Sequence, residues 1–270
     1  MEAVIKPNVS IAHKRSFEQN FELLIEFVKK DLKTKYKNIF LGIFWTVLQP
    51  LILALIFTKF RNVVSRNHTN YDLDYAAMYI IFITWYFFTT SIFRGANSIS
   101  SNYRLINAHK FPIILFPIST VLSSFFDVFV NLFTYTIFLF IFKDSIVFNV
   151  IFLFFNLAIA SVFIIGLCIL FSLLQCFFQE TNQIVLFINK ISLFALPILY
   201  NSSLIPENIR WIYEYIPVVW MINKTKDLVS RTSDFIFNYN DFIILIIGIF
   251  TFLLAYIAYK TFEDIIIDHL

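Results

Sequence analysis

The chain has 270 residues, 21 Lys and Arg against 18 Asp and Glu, and a net charge of +3; 59% of it is hydrophobic and 14% charged. Soluble domains run to about 25% charged residues, so most soluble classes are excluded, and so small a net charge over this length makes no surface able to neutralise a nucleic-acid backbone. With a mean hydropathy of +0.75 and several long apolar runs, the sequence reads as an all-α integral membrane protein.

The first element in chain order is amphipathic. Phe17, Phe21, Leu24, Val28 and Leu32 recur at three- and four-residue spacing, with Glu18, Glu22, Glu26, Lys29 and Lys33 between them, which predicts a helix over 16–37. Ser16 with Gln19 three residues on reads as a capping box. About half polar, this helix cannot span a bilayer; it is expected along the interface, its basic end of Lys29, Lys30, Lys33, Lys35 and Lys37 near anionic head groups. The segment before it is polar and lacks the apolar core of a cleavable signal peptide, so insertion falls to internal spans.

Six apolar stretches follow, at 39–60, 75–93, 113–142, 146–178, 184–199 and 242–259. A bilayer needs about 20 helical residues. The third and fourth, about 30 residues or about 45 Å long, should tilt or protrude. The fifth is short, and the aromatic segment 205–222 after it reads as a helical hairpin or re-entrant element on the trans side. The expected architecture is six transmembrane helices with an N-terminal amphipathic interfacial helix and short re-entrant or gate helices between spans five and six. It divides into an N-terminal region 1–38 and a six-span domain 39–270.

Orientation follows from the cations flanking the spans. Lys6, Lys14, Arg15, Lys29, Lys30, Lys33, Lys35 and Lys37 precede the first span, against Lys59, Arg61 and Arg66 in the next loop. Arg94, Arg104 and Lys110 follow span two and only Lys143 follows span three. Both termini are therefore expected in the cytoplasm, although Arg210, Lys224, Lys226 and Arg231 in the last outer loop run against the trend.

No enzyme-like constellation stands out. There is no Ser/His/Asp set, no paired carboxylates within a span and no zinc-ligand spacing among His13, His68, His109 and His269. Cys168 and Cys176 are about 12 Å apart along a helix axis, too far for a disulfide. A P-loop needs two Gly with four residues between them and Lys next; Gly42, Gly95, Gly166 and Gly248 are far separated, so ATP-driven work would require another chain. Asp127 and Lys190 are the charges inside spans, and such charges are costly enough to mark function. They could pair across helices or face a wet cavity, as structural markers of the bundle interior or as part of a translocation path. Trp45, Trp85, Tyr86, Tyr200, Trp211, Tyr213, Tyr215 and Trp220 are placed near span ends, where an interfacial belt and stacking surfaces for sugars are both open readings.

Lys33-Thr34-Lys35-Tyr36, then Leu41-Gly42, Trp45 and Pro50, resemble the approach to the first span in permease subunits of type-2 ATP-binding-cassette exporters that move O-antigen, capsule and teichoic-acid polysaccharides. Asn102, Leu105-Ile106, Phe111-Pro112 and Pro117 are similar to the stretch between spans two and three of that family. Pro197 with Tyr200, and Ile216-Pro217 with the helix after it, resemble the family's short fifth span and outer gate helices. After span four the family usually has Arg-Asp, where this chain has Gln179-Glu180. The resemblance implies a transport subunit and not an enzyme, a homodimer in the cytoplasmic (inner) membrane, and two copies of a separate ATPase subunit that binds ATP and Mg, with no cofactor in this chain. It implies a lipid-linked polysaccharide as substrate, exported through a channel between protomers. It further implies a cytoplasmic gate at Lys35, Tyr36, Leu41, Gly42, Trp45 and Pro50, with Pro50 kinking its helix. ATPase contacts would fall at Asn102, Tyr103, Arg104, Leu105, Ile106, Gln179, Glu180 and Thr181, and channel aromatics at Trp85, Tyr86, Tyr200 and Trp220. A drug or lipid exporter of the same superfamily and a non-transporting membrane scaffold are the rival readings.

Overall fold

The structure, a computed structural model, describes residues 16–64, 75–108, 111–142, 150–200, 202–230 and 238–269. Lys6, His13, Lys14, Arg15, Arg66, His68, His109, Lys110, Lys143 and Arg231 lie outside the described residues. The described chain is helical: α1 Phe17–Lys35, α2 Ile39–Val64, α3 Tyr75–Ala96, α4 Tyr103–Ala108 after a 3₁₀ turn Ser100–Asn102, α5 Leu115–Phe142, α6 Val150–Phe177, α7 Thr181–Ala195, α8 Glu207–Glu214, α9 Pro217–Ser230 and α10 Tyr239–His269.

α1 starts where its sequence says it should. Ser16 Oγ accepts from the Gln19 amide at 3.3 Å, and Gln19 Oε1 accepts from the Ser16 amide at 3.1 Å, so two otherwise orphaned donors are satisfied. At the other end the Tyr36 amide closes on the Leu32 carbonyl at 2.8 Å.

Five helices, α2, α3, α5, α6 and α10, are long and apolar enough to cross a membrane. The expected fifth span is not among them: α7 has 15 residues, about 22 Å against a hydrocarbon core of about 30 Å. It stops because Leu196 precedes Pro197, whose ring pushes the preceding residue out of the helical region, and Leu196 is extended at φ −83°, ψ 150°. The missing depth is supplied from the other end. Asn97 at the end of α3 bonds Asn182 of α7 at 3.1 Å, Trp85 in mid-α3 bonds Ser192 of α7 at 2.9 Å, and the next residue back, Thr84, meets Thr225 of α9 at 3.4 Å. Thus α7 and the α8–α9 hairpin enter from opposite ends and meet at the midpoint of α3, matching the expected hairpin over 205–222.

α3 is the hub. It is apolar on every side, as a helix surrounded by protein must be, and it packs on α2, α5, α6, α7 and α9. α2 and α10 lie at the periphery. α2 turns a narrow stripe of Thr46, Pro50, Ala54 and Thr58 inward at the four-residue spacing of one helix face, and leaves Phe40, Phe44, Trp45, Ile56 and Phe60 exposed.

α5 and α6 have 28 residues each and α10 has 31. All three exceed the hydrocarbon thickness, as expected for α5 and α6. α10 runs on past the predicted end of the last span at 259, because Ile266 is buried while Lys260 pairs with Glu263 beside it. The extra length builds a second apolar cluster outside the main core, in which Phe27 of α1 stacks on Phe116 of α5 at 4.5 Å and which also holds Ile99, Leu173, Tyr259 and Ile266. α1 is therefore docked on the protruding ends of the bundle and does not merely float at an interface.

Candidate functional site

The α1–α2 junction is fastened to α5 by one carboxylate. Asp127 is 2% exposed. Its Oδ2 accepts from Lys35 Nζ at 2.6 Å and its Oδ1 from the Tyr36 hydroxyl at 2.7 Å. Arg94 of α3 stands behind them: its Nη2 donates to Ser123 at 3.0 Å, and its Nη1 is 3.9 Å from Asp127 Oδ2, buried, with no hydrogen-bond partner. One turn back along α1, Asp31 accepts from Ser119 of α5 at 3.2 Å and also feels Arg94. The network continues along α5, since Asn131 donates to the Asp127 carbonyl at 2.8 Å and accepts from Tyr79 at 2.9 Å.

Burial governs the electrostatics of the α1 side. It pushes the Lys35 ammonium below its usual pKa, with Asp127 pulling it back up. Burial and the neighbouring Asp127 charge both push the Tyr36 phenol up, so Tyr36 stays protonated and donates to the carboxylate. Asp31 is raised by burial against the opposing pull of Arg94 and Lys30.

The remaining predicted gate residues pack around this clamp. Gly42 lies in the first turn of α2, not in a separate turn; the chain bends one turn earlier, between Tyr36 and Asn38. A Cβ on Gly42 would stand 3.0 Å from the Tyr36 ring and 3.1 Å from the Lys35 carbonyl, so only glycine lets α2 start so close to the end of α1. Leu41 and Trp45 are more than half exposed. Pro50 is buried within α2, which continues through it.

The two predicted ATPase-contact segments lie side by side, held by the Asn97–Asn182 bond. Tyr103, Arg104, Gln179 and Glu180 are exposed there, and Leu105 is half-buried. Three of the predicted contact residues are engaged within the chain. Ile106, 5% exposed, packs in the Phe27 cluster; Thr181, 3% exposed, starts α7 inside the bundle. Asn102 is occupied within the chain, accepting from Lys30 and donating to the Ser98 carbonyl at 2.6 Å. These three support the surface and do not form it.

The aromatics divide. Trp85 and Tyr86 sit at the middle of the 22-residue α3, too deep for an interfacial belt and not near a span end as expected. Tyr200 caps α7, donating to the Ala195 carbonyl at 2.8 Å and meeting the Tyr213 hydroxyl at 2.9 Å. Trp220 is buried and points its indole N–H at Asp241 of α10 at 2.8 Å, so it has no free face for a passage. Asp241, fully buried, also accepts from Lys224 at 3.1 Å and from the Asn238 amide at 2.9 Å.

Asp127 and Lys190 do not pair. Lys190 is exposed on α7, and the cations of Asp127 come from α1 and α3. Arg94, Asp31, Asp241 and Lys224 were not singled out from sequence, because each stands at a helix end or in a polar flank, where charge is unremarkable. Their one signal was position: Arg94 follows an otherwise uncharged 19-residue apolar run.

Comparison with known proteins gives one consistent answer. Residues 22–226 match the family described as ABC-2 type transporter. The chain is 30% identical over 222 residues to an O-antigen export system permease protein RfbA of Klebsiella pneumoniae, covering 82% of this chain and 85% of the relative. It is 27% identical over 194 residues to a protein of the same name from Myxococcus xanthus, covering 72% of this chain and 74% of the relative.

Proposed function

Because the chain belongs to the ABC-2 type transporter family, a family of membrane transport subunits that work with a separate ABC ATPase, we propose that it is the channel-forming permease of an exporter for lipid-linked, O-antigen-type polysaccharide. The observation that carries the substrate class is the match, across 82% of the chain, to permeases named for O-antigen export. In this reading the protein acts as a homodimer in the cytoplasmic membrane with both termini inside. The broad exposed apolar faces of α2 and α10 are available to lipid and to the second protomer, and the glycan passes between protomers. ATP and Mg belong to the partner subunit.

The geometry supports a division of labour. The surface of Tyr103, Arg104, Gln179 and Glu180 receives the ATPase. Tyr103 directly follows Asn102, which holds Lys30 of α1, so force applied there reaches α1 directly. α1, clamped through Lys35 and Tyr36 to Asp127, is the cytoplasmic gate.

The test is complementation of a strain lacking this gene, read by surface glycan on gels and by co-purification of the ATPase subunit. Arg104→Glu with Glu180→Lys, both at exposed positions, should leave the permease in the membrane yet lose the ATPase and at least about 90% of surface glycan, since like charges across an interface cost several kcal/mol. Normal surface glycan in the gene-deleted strain would refute the polysaccharide assignment.

A further inference from the structure

The Asp127 clamp holds one more cation than it uses. Lys35 and Tyr36 take both carboxylate oxygens, at 2.6 and 2.7 Å. Arg94 is left with a buried Nη1 that bonds nothing, 3.9 Å from Oδ2, while its Nη2 rests on Ser123. A buried guanidinium nitrogen without a hydrogen-bond partner is costly, and a protein retains one where it serves something else.

The clamp is also divided between two bodies. Lys35, Tyr36 and Asp31 belong to α1 and its C-terminal end; Asp127, Ser119 and Ser123 belong to α5, and Arg94 to α3. If α1 lifts away, it removes Lys35 and Asp31 together, one cation and one anion. What remains in the bundle is Asp127 and Arg94, again one of each. Without Arg94 the same movement would leave a lone carboxylate that is 2% exposed in the docked state, and stranding one half of a buried pair is among the most costly single changes in a fold.

Resting on the reading of α1 as a gate, we propose that Arg94 is the standby counter-ion of Asp127, moving from Ser123 onto the carboxylate when Lys35 and Tyr36 leave it, so that α1 can open without stranding a buried charge. Arg94 is thus a positioning residue for transport and has little part in holding the docked state, where Asp127 is already satisfied.

The experiment uses the permease assembled with its ATPase subunit in nanodiscs, spin-labelled at Thr34→Cys on α1 and Leu122→Cys on α5, both exposed positions. The background carries Cys176→Ala; Cys168 is fully buried and does not label. During ATP turnover the parent should show a docked and a displaced distance. Arg94→Gln should still assemble with the ATPase and show the docked distance but lose at least about tenfold of the displaced population, the factor that about 1.4 kcal/mol corresponds to. Arg94→Lys, which keeps a cation, should retain that population, and Arg94→Gln with Asp127→Asn should regain it. An unchanged displaced fraction in Arg94→Gln, or failure of that variant to assemble, overturns the proposal. A parent that shows one distance in every nucleotide state refutes the gate itself, a separate outcome.

Discussion

Asp31 shows how finely the contact between α1 and the bundle is balanced. Its carboxyl is raised above the ordinary value of 3.8 because burial outweighs Arg94, Lys30 and the Ser119 hydroxyl. A raised folded-state pKa means that the group's contribution is full below the unfolded value and declines as pH rises through the folded one; at neutral pH the ionised Asp31 weighs against the fold. Asp31→Asn still offers an oxygen to Ser119. Its thermal midpoint relative to the parent should therefore rise as pH climbs above the ordinary carboxyl value of 3.8 and level off once the folded-state carboxyl has ionised, measured in detergent by intrinsic fluorescence; a constant offset throughout would contradict the assignment. Gly42 carries a different constraint. Its neighbours on α1, the Tyr36 ring at 3.0 Å and the Lys35 carbonyl at 3.1 Å, are the residues that grip Asp127, so a side chain there acts on the clamp from a distance.

Among the elements, α6 and α10 form the most extensive helix pair, and glycine sets their spacing. A Cβ on Gly166 would lie 3.0 Å from the backbone of Thr251 and Phe252, atoms that cannot rotate aside. Gly166→Leu should force the helices apart and cost about 1–3 kcal/mol, the usual range for overpacking, seen as a lower midpoint with helicity retained by circular dichroism. Apart from α10, which runs well past its expected end at 259, the long elements were legible from sequence to within a few residues because twenty or more apolar residues admit one interpretation. α1 was legible from its periodicity and cap. α7 was not, since Ile184 to Leu199 reads as continuous in hydropathy while the bend depends on backbone geometry before Pro197. Lys35, Tyr36 and Asp127 were each picked out, but for unrelated reasons. That they share one contact, 91 and 92 residues apart in sequence, is a fact of packing that spacing could not supply. Ile106 is the converse case: its motif was recognised, but no pattern in six residues of helix says that this side chain faces the Phe27 cluster.

At the scale of the whole molecule the two ends are fastened alike. At the α1 end a buried Asp127 takes a lysine and an aromatic hydroxyl; at the α8–α9 end a buried Asp241 takes Lys224 and the Trp220 indole. In both, a helix that does not span is pinned to one that does. The two pins share no residue and lie at opposite ends of the bundle, so Asp127→Asn and Asp241→Asn should each lower the unfolding midpoint and their effects should add within about 0.5 kcal/mol in the double variant; a marked shortfall would show that the ends communicate. The pairing of α10 with α6 also has a consequence for how the protein is made. α10 is the last of these helices to leave the ribosome, so until then the α6 face around Gly166, which receives the Thr251–Phe252 backbone, has no partner in the nascent chain. Asp241, the anchor for Lys224 and Trp220, arrives at the same late moment. Assembly of the outer hairpin must therefore wait for α10, and a chain stopped before Tyr239 should be inserted but recognised as unfinished, with rapid turnover by membrane proteases in pulse-chase labelling while the full chain persists.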